Sequence, residues 1–345
     1  MDTPGAVMDM GEAGTTNWLI FSFLLSFAGL VTVAGVLSLV GGLELQNILI
    51  SVQHRLRVSQ VQKSYGVGID VEIKAATPTM GGVAFIVMAF AAIVAEVRLL
   101  VVNWSVLFWS LPVTCGAIGF WDDWLKVSRR SSEGFSSLGK LAVQVAVASI
   151  WVTSAEARFG LFAWRGALDW PGWLAVPLTI LGTVGMMNAV NVTDGLDGLA
   201  GGAFLISLGV LACILKLSPC LVVDFAVLLG TLTAFLFYNI RPARIFMGDT
   251  GSHFLGGALV MLCVEGGAVL ALIPAGFIFG LELLSSAVQI IAIRGFGRKV
   301  FRMAPLHHHF QRMGWDETKV TGRFLAIHAV GASLTAALCV LVFGR

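Results

Sequence analysis

Charged residues are scarce in this sequence. Lys, Arg, Asp and Glu together make up only 12% of its 345 residues, whereas hydrophobic residues make up 57%. A soluble domain normally has about twice this share of charged side chains on and near its surface. The composition therefore excludes an ordinary soluble protein and predicts an integral membrane protein.

Three further features are rare or absent, and each excludes a class of protein. The formal net charge is only +2, without the concentrated basic face that a nucleic-acid partner requires. The five cysteines form no CxxC pair and no metal-ligand spacing, so we interpret them as small buried hydrophobic residues. No internal repeat is found, which argues against the secondary transporters that are built from two related halves.

Long apolar windows are abundant instead. A helix needs about 20 mostly apolar residues to span a hydrocarbon core of about 30 Å. Windows of this kind predict one all-α domain over residues 1–345, a polytopic membrane protein with about ten transmembrane helices. The windows are 17–40, 79–98, 104–121, 139–157, 172–190, 198–216, 221–240, 251–268, 269–293 and 322–343.

Basic residues are distributed unevenly between the connections of these windows. Of the 22 lysines and arginines, all but five fall after the first, third, seventh and ninth windows. Because the translocation of positive charge is disfavoured, basic connections stay in the cytoplasm. We therefore expect these connections to be cytoplasmic and both termini to be periplasmic.

Four polar clusters remain, and all of them map to the predicted cytoplasmic side. The first is FWDDWLKV, in which Asp122 and Asp123 stand at the end of the third window. Adjacent carboxylates repel each other unless a cation or a proton lies between them. The pair therefore indicates a divalent metal, a phosphate-bound metal or a base with a raised pKa. A solvated helix end is the alternative interpretation.

The second cluster is NAVNVTDGLDG, at the end of the fifth window. Asn188, Asn191, Asp194 and Asp197 recur at intervals of three residues and so stay near one face of a continuing helix. The glycines of the same run let a ligand approach the backbone closely. The pattern indicates a binding site, with a polar plug between helices as the alternative.

The third cluster is FMGDTGS, just before the eighth window. Asp249 at the start of a helix indicates a ligand for a hard cation, with the free N–H groups of the first turn facing phosphate oxygens. An N-cap is the alternative role for this Asp. Phe246 is either an interfacial anchor or a flat surface on which a base stacks.

The fourth cluster is the run His307, His308 and His309, in a basic connection between the ninth and tenth windows. Consecutive side chains diverge, so the three do not easily bind one transition metal, and contact with phosphate or sugar fits better. Three isolated histidines, His54, His253 and His328, are interpreted as structural.

Two further charged residues have open interpretations. Lys74, before the second window, is either a snorkelling lysine or part of an anion site. Glu282, within the ninth window, is a functional candidate because acids inside a membrane are costly, and a hydrogen bond between helices is the alternative.

The strings DDWLK, NAVNVTDGLDG, FMGDTGS and PLHHHF resemble the polyprenyl-phosphate N-acetylhexosamine-1-phosphate transferase superfamily. PLHHHF and TPTMGG resemble its phospho-N-acetylmuramoyl-pentapeptide transferase (MraY) branch, and the similarity runs from about Gln60 to the C-terminus. The resemblance implies transfer of phospho-MurNAc-pentapeptide from its UDP carrier to undecaprenyl phosphate, giving lipid I and UMP. It also implies Mg²⁺ as cofactor and a multi-pass location in the bacterial inner membrane.

The resemblance implies a set of site residues as well. Asp249 would bind Mg²⁺, Asp122 and Asp123 would serve the lipid phosphate or the metal, and His308 joins them as a catalytic candidate. Direct attack by the lipid phosphate and a covalent aspartyl intermediate are both open, and we favour direct attack because a phosphate second pKa of about 6 leaves a dianion at neutral pH. The implied substrate-binding residues are Lys74, Thr79, Asn188, Asn191, Asp194, Leu196, Asp197, Phe246, Gln289, His307 and His309.

The chain departs from the branch at Ala76, where a Gly is usual, and at Gln311, where an acid is usual. The loop QVQKSYGVG also lacks the usual Arg-Glu-Asp character. Two other functions are retained: a sister transferase that uses UDP-GlcNAc, against which PLHHHF argues, and a transporter of an anionic metabolite, against which the one-sided acids argue. A homodimer is left open.

Overall fold

The computed structural model describes residues 12–56, 77–95, 97–98, 105–129, 131, 133–164 and 167–344. Apart from one isolated β-bridge, between Trp164 and Leu168, the regular structure of these residues is helical, which confirms the predicted all-α class. The α-helices are α1 Glu12–Leu56, α2 Val83–Ala95, α3 Ser105–Arg129, α4 Ser137–Phe159, α5 Gly172–Thr193, α6 Leu199–Ile214, α7 Pro219–Asn239, α8 Gly248–Glu265, α9 Leu272–Ala275, α10 Phe277–Phe296, α11 Leu306–Gln311 and α12 Glu317–Phe343.

Many of these helices are long and apolar enough to cross a membrane. Within the described part of the chain there are six: the segment Phe27–Arg55 of α1 together with α4, α5, α7, α10 and α12. Helices α2 and α6 are apolar but shorter. The helices therefore support a polytopic membrane protein.

The predicted windows differ from the helices at several ends. Helix α1 continues to Leu56, well beyond residue 40, and α2 begins only at Val83, because residues 77–82 form a loop that is bonded to another loop. The window 269–293 is not one helix: a 3-10 turn and α9 precede α10. The predicted division between the windows 251–268 and 269–293 is confirmed, since α8 ends at Glu265 and is followed by a turn in which Gly267 has φ 67°.

Polar side chains fix the starts of two helices that carry site residues. Ser136 accepts a hydrogen bond from the Gly139 N–H at the start of α4, and Asp316 accepts one from the Thr318 N–H at the start of α12. Such an N-cap stabilises a helix by about 1 kcal/mol. These caps fix the first turns of α4 and α12, which carry Lys140 and Glu317.

Helix α8 is the central element of the described structure. Its residues are buried without interruption from Thr250 to Val264, and it packs against α3 and α5. Glycine makes the closest approach possible: a Cβ on Gly119 of α3 would lie 2.0 Å from the Asp249 carbonyl oxygen. Small residues at helix contacts let backbones approach in this way. The packing brings the polar ends of α3, α5 and α8 to one place.

Candidate active site

Three carboxylates from two helices meet at the start of α8. Asp122 and Asp123 lie in the later turns of α3, and Asp249 lies in the first turn of α8. One oxygen atom of each carboxylate lies within 4.8 Å of the others. Asp122 and Asp123 are buried, and Asp249 is half-buried. The structure thus brings the first and third sequence clusters together as one group, which we call the acidic cluster.

Two lysines compensate this negative charge. The Lys126 Nζ lies 2.6 Å from Asp122 Oδ2 and 2.9 Å from Asp249 Oδ2. The Lys140 Nζ, from the first turn of α4, also binds Asp249 Oδ2 and lies 3.7 Å from Asp122 Oδ2. Sequence reasoning missed Lys140. A signal was present, because Lys140 and Gln144 are polar residues four positions apart in the apolar window 139–157.

Asp123 caps helix α8 from outside. Its Oδ1 accepts a hydrogen bond from the Asp249 N–H (3.1 Å), and its Oδ2 accepts from the Thr250 N–H (2.9 Å) and hydroxyl (2.8 Å). These are N–H groups of the first turn, which have no partner within the helix. The expectation that they face phosphate oxygens is therefore wrong for these two groups. Asp249 itself is not the N-cap, since Met247 has that position.

The lysines compensate Asp249 more closely than Asp123. Both ammonium groups bind Asp249 Oδ2, whereas Lys126 Nζ lies 3.8 Å from Asp123 Oδ1. The negative charge of Asp123 is instead balanced mainly by the hydrogen bonds from the first turn of α8.

The second sequence cluster reaches the acidic cluster through Asn191. Its amide Nδ2 donates to Asp249 Oδ1 (2.8 Å) and to the Ser252 hydroxyl oxygen (3.0 Å). Helix α5 thus binds Oδ1 of Asp249, whereas the two lysines bind Oδ2. Asp249 is fixed in direction by neighbours from three other helices, α3, α4 and α5.

A chain of three polar side chains supports the backbone of Asp249. The Asn188 Nδ2 donates to Gln144 Oε1 (2.8 Å), the Gln144 Nε2 lies 2.9 Å from His253 Nε2, and His253 Nδ1 lies 2.9 Å from the Asp249 carbonyl oxygen. All three contacts are satisfied at once when His253 carries its proton on Nδ1 and accepts on Nε2. The interpretation of His253 as structural stays a prediction, but the ring is not isolated, since it contacts the backbone of Asp249 and so supports the site.

Two loops that are distant in sequence bind each other beside this group. The Phe246 N–H donates to the Pro78 carbonyl oxygen (2.9 Å), and the Gly81 N–H donates to the Phe246 carbonyl oxygen (2.8 Å). The Thr79 N–H is held by Gln53 Oε1 at 2.9 Å. Thr79 is buried and Phe246 half-buried, so both predicted residues lie at the entrance to α8. Lys74 and Ala76 lie outside the described residues.

The turn after α5 continues toward a different set of partners. Asp194 is half-buried at the C-terminal cap of α5, and Leu196 is buried. Asp197 Oδ2 accepts from the Ala243 N–H at 3.1 Å, and the Asp197 N–H donates to Glu317 Oε1 at 2.9 Å. Asp197 is therefore tied to the loop before α8 and to the start of α12.

His307 joins the fourth cluster to the second. It is fully buried, and its backbone N–H and ring Nδ1 each lie 3.2 Å from an oxygen of Glu282. Its ring rests on Gly195, where a Cβ would lie only 2.3 Å from His307 Nε2. A residue with a side chain at position 195 would displace the ring. Glu282 thus makes the contact between helices that was one of its two interpretations.

The remaining predicted residues hold the basic segment in place. His308 Nδ1 lies 2.8 Å from Gln311 Oε1, so the amide that replaces the usual acid is bonded to this ring. His309 Nδ1 accepts from the Arg302 N–H at 3.0 Å. Gln289 Oε1 accepts from the Phe301 N–H at 2.9 Å. Gln289 therefore binds backbone in this structure, whereas His308 and His309 are half-buried at the surface of α11.

The acidic cluster has the donor chemistry of a site for a hard cation. Carboxylate oxygens are the ligands that Mg²⁺ prefers, and it usually takes one or two of them together with substrate phosphates and water. Lys126 bridges Asp122 Oδ2 and Asp249 Oδ2, and Asn191 binds the other oxygen of Asp249. The residues present therefore fit a divalent cation that also binds a phosphate group.

Comparison with known proteins gives concordant results. Residues 103–267 match the model for glycosyl transferase family 4, and residues 74–86 match signature 1 of phospho-N-acetylmuramoyl-pentapeptide-transferase. Curated proteins with that transferase name are similar over most of their length. One from Desulforudis audaxviator (strain MP104C) is 38% identical over 325 residues, which cover 87% of this chain and 95% of the relative.

Other relatives agree. The phospho-N-acetylmuramoyl-pentapeptide-transferase of Staphylococcus carnosus (strain TM300) is 34% identical over 80% of this chain and 89% of its own length. That of Levilactobacillus brevis is 38% identical over 76% of this chain and 84% of its own length. The signature falls on the loop that holds Thr79, and the family model covers Asp122, Asp123 and Asp249. This chain therefore belongs to the phospho-N-acetylmuramoyl-pentapeptide transferase family.

Proposed function

We propose that this protein transfers phospho-MurNAc-pentapeptide from UDP-MurNAc-pentapeptide to undecaprenyl phosphate, forming lipid I and UMP. The observation that supports this most directly is the acidic cluster with Lys126 and Lys140, at the ends of apolar helices. A water-soluble nucleotide sugar and a lipid phosphate can meet only where polar groups lie at the membrane interface. The names of the relatives give the transferred group, phospho-N-acetylmuramoyl-pentapeptide, and the sequence resemblance implies the UDP carrier and the lipid acceptor.

We further propose a topology of ten transmembrane helices, α1 to α8, α10 and α12, in the bacterial inner membrane. This topology counts the two short apolar helices α2 and α6, and also α3 and α8 with their polar ends, as part of the membrane domain. Basic residues in the connections around 241–244 and 294–323 support a cytoplasmic site and periplasmic termini.

The acidic cluster is proposed to hold Mg²⁺ through Asp249, with Asp122 or Asp123 nearby. A bound Mg²⁺ supplies charge neutralisation on the pyrophosphate of the UDP-sugar. Lys126 and Lys140, which bind Asp249 in this structure, would bind phosphate oxygens once a cation takes their place on that carboxylate. Together these positive charges favour the approach of the negatively charged acceptor lipid.

Direct attack by the lipid phosphate is the route that the contacts favour. An oxygen of undecaprenyl phosphate forms a bond to the phosphorus attached to the sugar, and the bond from that phosphorus to the UMP oxygen breaks. Asp123 is a poor candidate for a nucleophile, since both of its oxygens accept hydrogen bonds from the first turn of α8. Asp122 likewise binds the Phe135 N–H (2.8 Å) and Lys126.

The donor substrate is proposed to lie between the loops at the entrance to α8 and the turn after α5. Phe246 offers a half-buried aromatic ring for the uracil, and Thr79 lies next to it. Asn191 and Asp194 are proposed to border the same space from the end of α5, and His308 and His309, which are half-buried, are proposed to reach it from α11. Their contacts with the nucleotide and sugar remain predictions.

Substrate selectivity tests this function. Purified protein with undecaprenyl phosphate and Mg²⁺ is expected to release UMP from UDP-MurNAc-pentapeptide and not from UDP-GlcNAc. Chelation of Mg²⁺ is expected to stop the release, and added Mg²⁺ to restore it, because the pyrophosphate charge is otherwise uncompensated. Release from UDP-GlcNAc alone would select the sister transferase, and no release from either donor would favour the transporter.

A further inference from the structure

Glu317 is buried although it carries a charge. It is the first residue of α12, and only 4% of its surface is exposed. Its Oε1 accepts from the Asp197 N–H (2.9 Å), and its Oε2 accepts from Arg241 Nη1 (2.7 Å). Acids are rarely buried to this extent unless they are paired. This carboxylate joins the turn after α5 to the loop after α7.

The same two segments are bonded at other points. Asp197 Oδ2 accepts from the Ala243 N–H (3.1 Å). The Asn239 amide accepts from the Gly198 N–H (3.0 Å) and donates to the Ile245 carbonyl oxygen (2.9 Å). The loop after α7 is thus held along its length, and the ion pair holds its beginning.

This loop ends in Phe246 and leads directly into Asp249. The end of the loop, at Phe246, is fixed by backbone hydrogen bonds to the loop that holds Thr79. The beginning of the loop is held by the ion pair of Arg241 with Glu317, in which the Arg241 side chain is still partly exposed. A displacement of the beginning of the loop would strain the two backbone hydrogen bonds of Phe246, whereas α3, α4 and α5 hold Asp249 independently.

We infer that Glu317 is a positioning residue for the nucleotide subsite: through Arg241 and Asp197 it sets the loop that carries Phe246. The inference rests on the proposed function, since it gives that loop the uridine end of the donor. Glu317 itself does not touch substrate. Loss of its charge should weaken nucleotide binding while the lipid-phosphate site and the acidic cluster keep their geometry.

The test compares Glu317→Gln, Arg241→Gln and the double variant with the wild type. Calorimetry with UMP measures nucleotide binding without turnover, and UMP release gives kcat and a separate KM for each substrate. Either single variant is expected to raise the Kd for UMP and the KM for the UDP-sugar about tenfold, equivalent to about 1.4 kcal/mol. The KM for undecaprenyl phosphate and kcat should stay within about threefold, since displacement is confined to the nucleotide loop.

Coupling and controls make the test specific. The double variant should be no worse than the worse single variant, because the two residues act as one unit. Arg241→Lys should keep most of the UMP affinity, since it retains the positive charge opposite Glu317. Glu44→Gln, the same chemical change on the exposed surface of α1, should match the wild type.

Several results would overturn the inference. An unchanged Kd for UMP would do so, as would equal rises in both KM values or additive effects in the double variant. If Glu317→Gln does not fold, Arg241→Gln decides, and failure of that variant to fold would assign the pair to stability instead. A wild-type protein that neither binds nor releases UMP would contradict the proposed function itself, which is a separate outcome.

Discussion

Asp249→Asn is expected to lower kcat for UMP release by at least about 10³-fold while the protein stays folded. The change removes one negative charge from the proposed metal ligand and keeps its shape, and metal-based charge stabilisation is worth several kcal/mol at about 1.4 kcal/mol per factor of ten. The remaining amide oxygen can still accept from Asn191. Steady-state UMP release and the thermal unfolding midpoint measure the two effects separately.

The matched control for this substitution is Asp169→Asn. Asp169 is exposed and lies in the connection before α5, away from the acidic cluster in sequence and in contacts. It should leave both kcat and the unfolding midpoint unchanged. Rates like those of the wild type in Asp249→Asn would remove this residue from the proposed metal site, and loss of folding would show that its charge balance with Lys126 and Lys140 is structural.

Gly119→Ala is expected to damage both stability and activity. A Cβ at this position would lie 2.0 Å from the carbonyl oxygen and 2.3 Å from the carbonyl carbon of Asp249, and backbone cannot move aside as a flexible side chain can. Overpacking of this kind costs about 1–3 kcal/mol. A shift of about 1 Å in a catalytic group can lower a rate about 10²-fold. The midpoint of thermal unfolding and the rate of UMP release should therefore both be lower than in the wild type.

Gly209→Ala is the matched control on α6. A Cβ there would meet nothing within 4 Å, and Ala favours a helix over Gly by up to about 1 kcal/mol. This variant should be as active as the wild type and at least as stable. Wild-type stability and rates in Gly119→Ala would show that α3 and α8 can separate without disturbing the acidic cluster.

The sequence predicted the helical class well because apolar windows are a strong signal. Nine of the ten windows each correspond to one helix, although α1 and α2 differ in extent, and the window 269–293 contains α9 as well as α10. The end of α1 was underestimated because Gln46 and Gln53 are polar. In the structure they bind the loop at residues 79–81, which a hydropathy pattern does not reveal.

The site could be predicted only where residue types carried the chemistry. Neighbouring aspartates and the run of asparagines pointed to Asp122, Asp123, Asn191 and Asp249, and the structure brings these four together. Positioning residues were missed because their roles depend on long-range contacts. Lys140, Gln144 and Glu317 reach the site from helices that are remote in sequence.

The cap that Asp123 provides has a consequence for mutational surveys. Its side chain lies on one helix and saturates the amide donors of another, so charge and side-chain length are both constrained. A longer acid would keep the charge and push the two helices apart, and an amide would place an N–H group against an N–H group. A survey that scores growth alone would record this position as indispensable, whether or not it ever meets a substrate.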